Sequence, residues 1–193
     1  MSDLEQLLNS STRVFNTLFE QRILFLKGAV EEVNSDALVA LMLALDAENH
    51  DDITLYINSP GGIITGLFAI FDTMHSIESK VNTRCVGLAA SAAAVILAAG
   101  TGVRSATENA RIMIHQPLGG ARGTARDIEI QAKNIVFLRE RLNELLAERA
   151  GKSVEEVTAD TDRDHWLTAA EALAYGTRGL IDEVVPRVHY PVG

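Results

Sequence analysis

At 193 residues the chain is long enough to bury one hydrophobic core without disulfide or metal staples, and its 47% hydrophobic and 22% charged content excludes a disordered polymer. A formal charge of −9, from 17 Lys+Arg against 26 Asp+Glu with no long basic run, argues against a nucleic-acid partner, whose phosphates demand a basic face. The single cysteine, Cys85, rules out an intramolecular disulfide framework and offers no metal cluster.

The leading segment "MSDLEQLLNSSTRVFN" carries acidic residues early and lacks a basic-then-apolar signal pattern, which predicts a cytoplasmic protein. Strand-like runs then alternate with helical patterns. The strands are "RILFL" (22–26), "ITLYIN" (53–58), "VNTRCVG" (81–87) and "RIMIH" (111–115); the helices are "SDALVALMLALDAEN" (35–49), "GLFAIFDTMHSI" (66–77) and "SAAAVILAAG" (91–100). Alternation at this spacing predicts an α/β fold of βαβ units with a mostly parallel sheet. Ser35 reads as the N-cap of the first of these helices. Cys85 falls in an apolar strand and reads as a buried, inert thiol.

From Cys85 to Val103 there are 19 residues without a charge, near the length of a membrane span. Seven are alanine and three are glycine, and Gly100-Thr101-Gly102 ends any helix early, so the pattern predicts a short buried helix and no membrane partner.

Beyond His115 the character changes. "QPLGGARG" is loop, and Thr124 to Ala150 forms one long helical pattern with Ile128, Ala132, Ile135, Leu138, Leu142, Leu145 and Leu146 at spacings of three and four. At 1.5 Å per residue it spans about 40 Å, more than a small core needs, so it is expected to project and pack against a copy of itself. "SVEE" from Ser153 and "TAAE" from Thr168 are capping boxes, and "GLIDEVV" (179–185) reads as a final short strand. There is no internal repeat, and 1–193 reads as a single domain.

Three places could carry chemistry. In "YINSPGG" a strand runs into Pro60-Gly61-Gly62 before a helix. Glycines at such a junction leave backbone N–H groups bare for an anion or oxyanion, although a tight turn would use the same residues. Ser91, the one hydroxyl in "VGLAASAAAVILAAG", opens a helix at the carboxyl end of a strand, the usual place of an α/β active site, and Ala92 would add a second N–H. His115, at the end of "RIMIH", could accept a serine proton. His50, His75, His165 and His189 sit in less suitable contexts. A carboxylate to orient the imidazole could be Asp160, Asp162 or Asp164. Asp164, before Trp166-Leu167 and a capped helix, is the best placed, but spacing alone does not choose. The order serine, histidine, acid and the absence of Gly-x-Ser-x-Gly exclude the α/β-hydrolase scheme.

Four stretches, "ITLYINSPGG" (53–62), "GLAASAAAVILAAG" (87–100), "RIMIHQPLGG" (111–120) and "DTDRDHWLTAAEALAYG" (160–176), resemble the Clp protease proteolytic subunit, a self-compartmentalising serine peptidase. The likeness extends over nearly all of residues 14–185. It implies a ClpP/crotonase-like fold of repeated β-β-α units, with an axial segment over 1–20 and a projecting handle region over 116–150. Ser91 would be the nucleophile, His115 the general base and Asp164 the orienting acid. Gly62 and Ala92 would form the oxyanion hole, and Leu118, Gly119 and Gly120 would line the substrate cleft, where an extended peptide adds as a strand. Asp162 and Arg163 would bridge two stacked seven-membered rings. The resemblance further implies an AAA+ unfoldase partner that uses the ATP, unfolded polypeptides as substrates, and no cofactor or metal in this subunit. Two departures stand out: Ala92-Ala93 replace the usual Met-Gly after the serine, and Thr54 stands where an aromatic commonly helps dock the unfoldase. A specialised or weakly active subunit working beside a sister Clp subunit is an alternative. A crotonase-type acyl-CoA enzyme is a further one, but it gives the Ser91–His115 pair no task.

Overall fold

The computed structural model describes residues 13–120 and 122–186; residues 1–12 of the expected axial segment, Ala121 and His189 lie outside them. Helical residues 13–20 (α1) precede β1 (Ile23–Lys27), α2 (Glu32–Glu48), β2 (Ile53–Ser59), α3 (Ile64–Ser76), β3 (Val81–Ala90) and α4 (Ala92–Ala98). Then come β4 (Arg104–Thr107), β5 (Arg111–Ile114), α5 (Ala125–Ala150), α6 (Val154–Asp160), β6 (His165–Thr168), α7 (Ala169–Leu173) and β7 (Glu183–Val185).

Strands β1-β2-β3-β4-β7 form one parallel sheet in that order. The inward positions of β2, Ile53, Leu55 and Ile57, and those of β3, Val81, Thr83 and Cys85, are fully buried, while Thr54, Tyr56, Asn82 and Arg84 between them are half-buried on the other face. Met42 and Leu45 of α2, Leu67 and Ile70 of α3 and all seven residues of α4 complete the core. This is the period-two burial of a sheet covered by helices on one side. Cys85 has no exposed surface, and burial pushes its thiol pKa up to about 12, which leaves it unreactive.

Strand β3 is forked. Its first half pairs with β4 (Thr83 opposite Arg104, Cys85 opposite Ala106), and its last three residues pair with β5 (Leu88 opposite Arg111, Ala90 opposite Met113). Between the two halves, Gly87 has φ +90°, and a side chain there would crowd the amide of Asn58, whose Oδ1 would lie 3.1 Å from its Cβ. On the other flank the β2 register slips between Ile57 and Ser59. β6 then closes against β5 as the antiparallel strand, with Ile114 opposite His165.

Three departures from the sequence reading have physical causes, and the long helix follows the expected projection. The helix expected from Ser35 begins at Glu32: Glu31 N–H donates to Asn34 Oδ1 at 2.8 Å, and Ser35 lies buried inside the helix with its Oγ–H on the Glu31 carbonyl. Strand β3, expected to end at Gly87, continues through Leu88 to Ala90, because β5 supplies a ladder partner. Strands β4 and β6 are four residues each, too short to show a period, and exist through their neighbours. The long helix begins as expected at Thr124, whose hydroxyl accepts from Asp127 N–H, but its buried residues, Leu142, Asn143, Leu145, Leu146, Ala147 and Ala150, all lie in the last third. Ile128 and Phe137 are 43% and 62% exposed, so the first part of α5 stands away from the core of its own chain.

At the far edge of the sheet, Arg104 is buried and donates to the Asp182 carboxylate and to the carbonyls of Arg178 and Gly179, fastening β4 to the segment before β7. Burial alone would raise the Asp182 carboxyl, but the bonds from Arg104 outweigh it and hold it below its ordinary value. Asp182→Asn is therefore expected to cost about 1–2 kcal/mol, measured by denaturant unfolding at pH 7. The folded carboxyl binds its proton less tightly than the unfolded one. The stabilisation is thus full above the ordinary carboxylate range, near pH 4, and drains away as pH falls through the lowered value. The Asn variant should lose stability less steeply over that acid range than the parent chain.

Candidate active site

The carboxyl ends of β2, β3 and β5 meet at one place, and each delivers one part of the site. β2 ends in Ser59-Pro60-Gly61-Gly62. The Gly61 carbonyl accepts from Val30 N–H at 2.8 Å and the Val30 carbonyl accepts from Ile63 N–H at 2.9 Å. This parallel bridge turns the N–H and C=O of Gly62 away from Val30. Gly61, at φ +89°, lies so close to the next strand end that a Cβ on it would sit 2.7 Å from the Ser91 Cβ and 2.9 Å from the Ala92 nitrogen.

β3 ends at Ser91, which adopts φ 55° and ψ −124°, a conformation that L-residues rarely take. It is held there from both sides. Its N–H donates to the Met113 carbonyl of β5 at 2.8 Å, and its own carbonyl accepts from Ala94 and Val95 in the first turn of α4. The sharp corner throws the hydroxyl out of the helix axis, while the alanines behind it let α4 pack closely against the sheet and leave Ala92 N–H at the helix mouth.

β5 ends at His115. Its Nε2 lies 2.9 Å from Ser91 Oγ and its Nδ1 lies 3.0 Å from Asp164 Oδ1. An ionised carboxylate can only accept, so Nδ1 carries the hydrogen and Nε2 presents its lone pair to the serine O–H. The imidazole is largely buried, with 12% of its side-chain surface accessible, whereas Asp164 is 59% exposed.

The three aspartates that the sequence left open go to three different partners. Asp160 accepts from Lys152 Nζ and from Tyr175 O–H, both at 2.7 Å. Burial opposes its ionisation, but those two bonds bring its carboxyl below the ordinary value. Asp162 faces Gln116, and Asp164 reaches His115. Asp162 and Arg163 are 66% and 86% exposed on the side chain, 3.8 Å apart. The other described histidines are engaged elsewhere: His50 with Asp46, His75 with the Phe71 carbonyl and Arg149, and His165 beside Tyr175.

A cavity of about 270 Å³ opens beside the Ser91–His115 pair. Gly61, Gly62, Ser91, Ala92 and His115 form its polar end; Ile64, Leu67, Val95, Leu142 and Leu146 form its apolar end. Leu118 also lines it, while Gly119 lies against Ile135 of α5 and Gly120 has open space around it. Residues 115–120 carry no ladder in the single chain. Among the described residues no group of three or more His, Cys, Asp or Glu side chains is placed to hold a metal ion, and no helix is long and apolar enough to cross a membrane.

One residue that sequence reasoning passed over is Gln116. Its N–H donates to the Thr161 carbonyl at 2.7 Å and its side-chain amide donates to the Asp162 carbonyl at 2.9 Å, tying the strand end of His115 to the turn that carries Asp164. Its adjacency to His115 was the only signal, and adjacency in an extended segment points a side chain the other way.

A hydroxyl, an imidazole and a carboxylate in series, beside backbone N–H groups and an apolar cavity, can perform acyl transfer: the imidazole removes the hydroxyl proton and the amides meet the charge that develops on a carbonyl oxygen. Compared with known protein families, the chain matches the family described as Clp protease over residues 6–188.

The close approach at Gly61 gives a direct test of how the site is held. Gly61→Ala adds a Cβ 2.6 Å from the Ala90 carbonyl oxygen at a backbone angle that alanine rarely adopts. It is expected to lower the stability by about 2–4 kcal/mol in denaturant unfolding, and to weaken peptide hydrolysis in whatever fraction stays folded.

Proposed function

Because the chain belongs to the Clp protease family, whose members are peptidases, we propose that it is the serine endopeptidase subunit of an ATP-dependent, compartmentalised protease. The observation that carries this reading is the 2.9 Å and 3.0 Å series from Ser91 through His115 to Asp164 at the mouth of the cavity. In this reading Ser91 Oγ attacks the scissile carbonyl carbon as its proton passes to His115 Nε2. Asp164 keeps the imidazole in the required tautomer and stabilises the imidazolium. The Gly62 and Ala92 N–H groups receive the oxyanion, and His115 returns the proton to the leaving amine. Water then repeats the sequence on the acyl-enzyme. The apolar end of the cavity favours an apolar side chain next to the cleaved bond, and an extended peptide lies along residues 117–120, whose backbone has no ladder of its own in the single chain.

Assembly belongs to the same proposal. Two stacked seven-membered rings would cover the apolar positions that the first part of α5 exposes, and would bring Asp162 and Arg163 of facing rings together. An enclosed chamber admits unfolded chains only, which is why an AAA+ unfoldase is the expected partner and why ATP is consumed there and not in this subunit.

One observation favours the second reading, a specialised subunit that works with a sister Clp subunit. Thr54 lies in a cavity of about 250 Å³ lined, apart from Val103, by polar or charged residues, among them Asp52, Asn82, Arg84, Ser105 and Glu183. A surface of that kind suits an apolar docking segment poorly.

Ser91→Ala is expected to reduce hydrolysis of short fluorogenic peptides by about 10⁴-fold or more with native mass unchanged. Unchanged hydrolysis would overturn the reading, and wild-type fluorophosphonate labelling of a His115→Ala variant would remove the assigned base. Phe137→Asp should leave the fold of the single chain intact by circular dichroism and shift native mass toward smaller species. If the subunit is specialised, activity is low alone and rises on mixing with the sister subunit.

A further inference from the structure

Asp164 is a poor candidate to hold itself in place. Its carboxylate is 59% exposed, it sits on the turn between α6 and β6, and an exposed aspartate exchanges rotamers rapidly. The turn, however, is fixed at two points that bracket it. On one side the β5–β6 ladder pairs Ile114 with His165. On the other, Gln116 donates its backbone N–H to the Thr161 carbonyl at 2.7 Å and its side-chain Nε2–H to the Asp162 carbonyl at 2.9 Å, with Asp162 Oδ1 at 3.4 Å. Thus Ile114 and Gln116, on either side of His115, hold the chain before and after Asp164, at Thr161 and Asp162 and at His165.

The two ties made by Gln116 differ in kind. Thr161 is 1% exposed. Its hydroxyl lies 2.8 Å from the Val157 carbonyl and 3.1 Å from Asn143 Oδ1 of α5, so the main-chain tie ends on a rigid, buried post. The side-chain tie ends on the Asp162 carbonyl, in the exposed part of the turn, where Arg163 also bonds. With that tie gone, the Asp162 carbonyl keeps only the bond from Arg163, whose side chain is 86% exposed and gives it a loose hold, so the stretch from Thr161 to His165 is free to shift. Rotation of the Asp162 peptide plane moves the Asp164 Cα and withdraws its carboxylate from His115.

We propose that Gln116 is a positioning residue, which acts through the Asp162 carbonyl to hold the Asp164 carboxylate on His115 Nδ1. The inference rests on the reading of Ser91, His115 and Asp164 as a catalytic triad. The bonds of Gln116 go to Thr161 and Asp162 and not to Ser91, so in this proposal its effect on rate passes through Asp164.

Gln116→Met keeps side-chain length and the backbone bond to Thr161 and removes only the amide donor. The expected result with a short fluorogenic peptide is a kcat lower by roughly 10- to 100-fold, since misplacing a catalytic group by about 1 Å can cost about 10²-fold, with KM and native mass unchanged. Fluorophosphonate labelling of Ser91, read against a Ser91→Ala blank, slows by the same factor. In an Asp164→Asn background, Gln116→Met then produces no further slowing, because the group it positions is already gone. An unchanged kcat in the single variant, or losses that multiply in the double variant, would overturn the inference. Labelling of Asp164→Asn at the parent rate is a different result: it would overturn the triad reading beneath.

Discussion

Strand β3 serves two neighbours on one flank, bonding to β4 through Thr83–Cys85 and to β5 through Leu88–Ala90, with Gly87 at φ +90° between the halves. A straight strand could not do this. The turn at Gly87 carries the end of β3 away from the main sheet, and β5 follows it, so that Ser91 and His115 emerge side by side although 24 residues separate them. β2 keeps contact across a slipped register and brings Pro60-Gly61-Gly62 up to the same corner. The candidate site is therefore a product of sheet geometry: the backbone brings the serine, the imidazole and the glycines together, and short loops only finish the job.

The surroundings of the corner explain its composition. All seven residues of α4 are buried among β2, β3, β5, α3 and α5, and only small or aliphatic side chains fit there without an unpaired polar group. One hydroxyl escapes that restriction because it stands at the helix mouth, where His115 accepts its hydrogen. On the opposite wall, the buried third of α5 supplies Leu142 and Leu146 to the cavity while its exposed part carries Ile128 and Phe137 outward. A single rigid rod thus forms part of the cavity wall and the surface by which copies of the chain are proposed to join.

Much of this was legible in the sequence because it was written in patterns longer than a single element. Strand–helix alternation gave the parallel sheet, the stripe from Ile128 to Leu146 gave the long helix with its start at Thr124, and the capping boxes at Ser153 and Thr168 marked two further helix starts that the structure retains. What escaped was short or tertiary. β4 and β6 have four residues each and exist because β3 and β5 offer them a ladder. The forked pairing of β3 has no local signature beyond one glycine. Asp160, Asp162 and Asp164 are separated by single residues; Asp164 read as the best placed, but spacing alone did not choose among them, whereas in the fold Lys152, Gln116 and His115 take one each.

The backbone of Ser91 has a consequence of its own. At φ 55° and ψ −124° a side chain is a burden, and glycine would rest there with less strain. Folding and chemistry thus favour different residues at this single position. Under the proposed mechanism a chain freed from the need to cut peptides could exchange this serine for glycine and become an inert but sturdier protein.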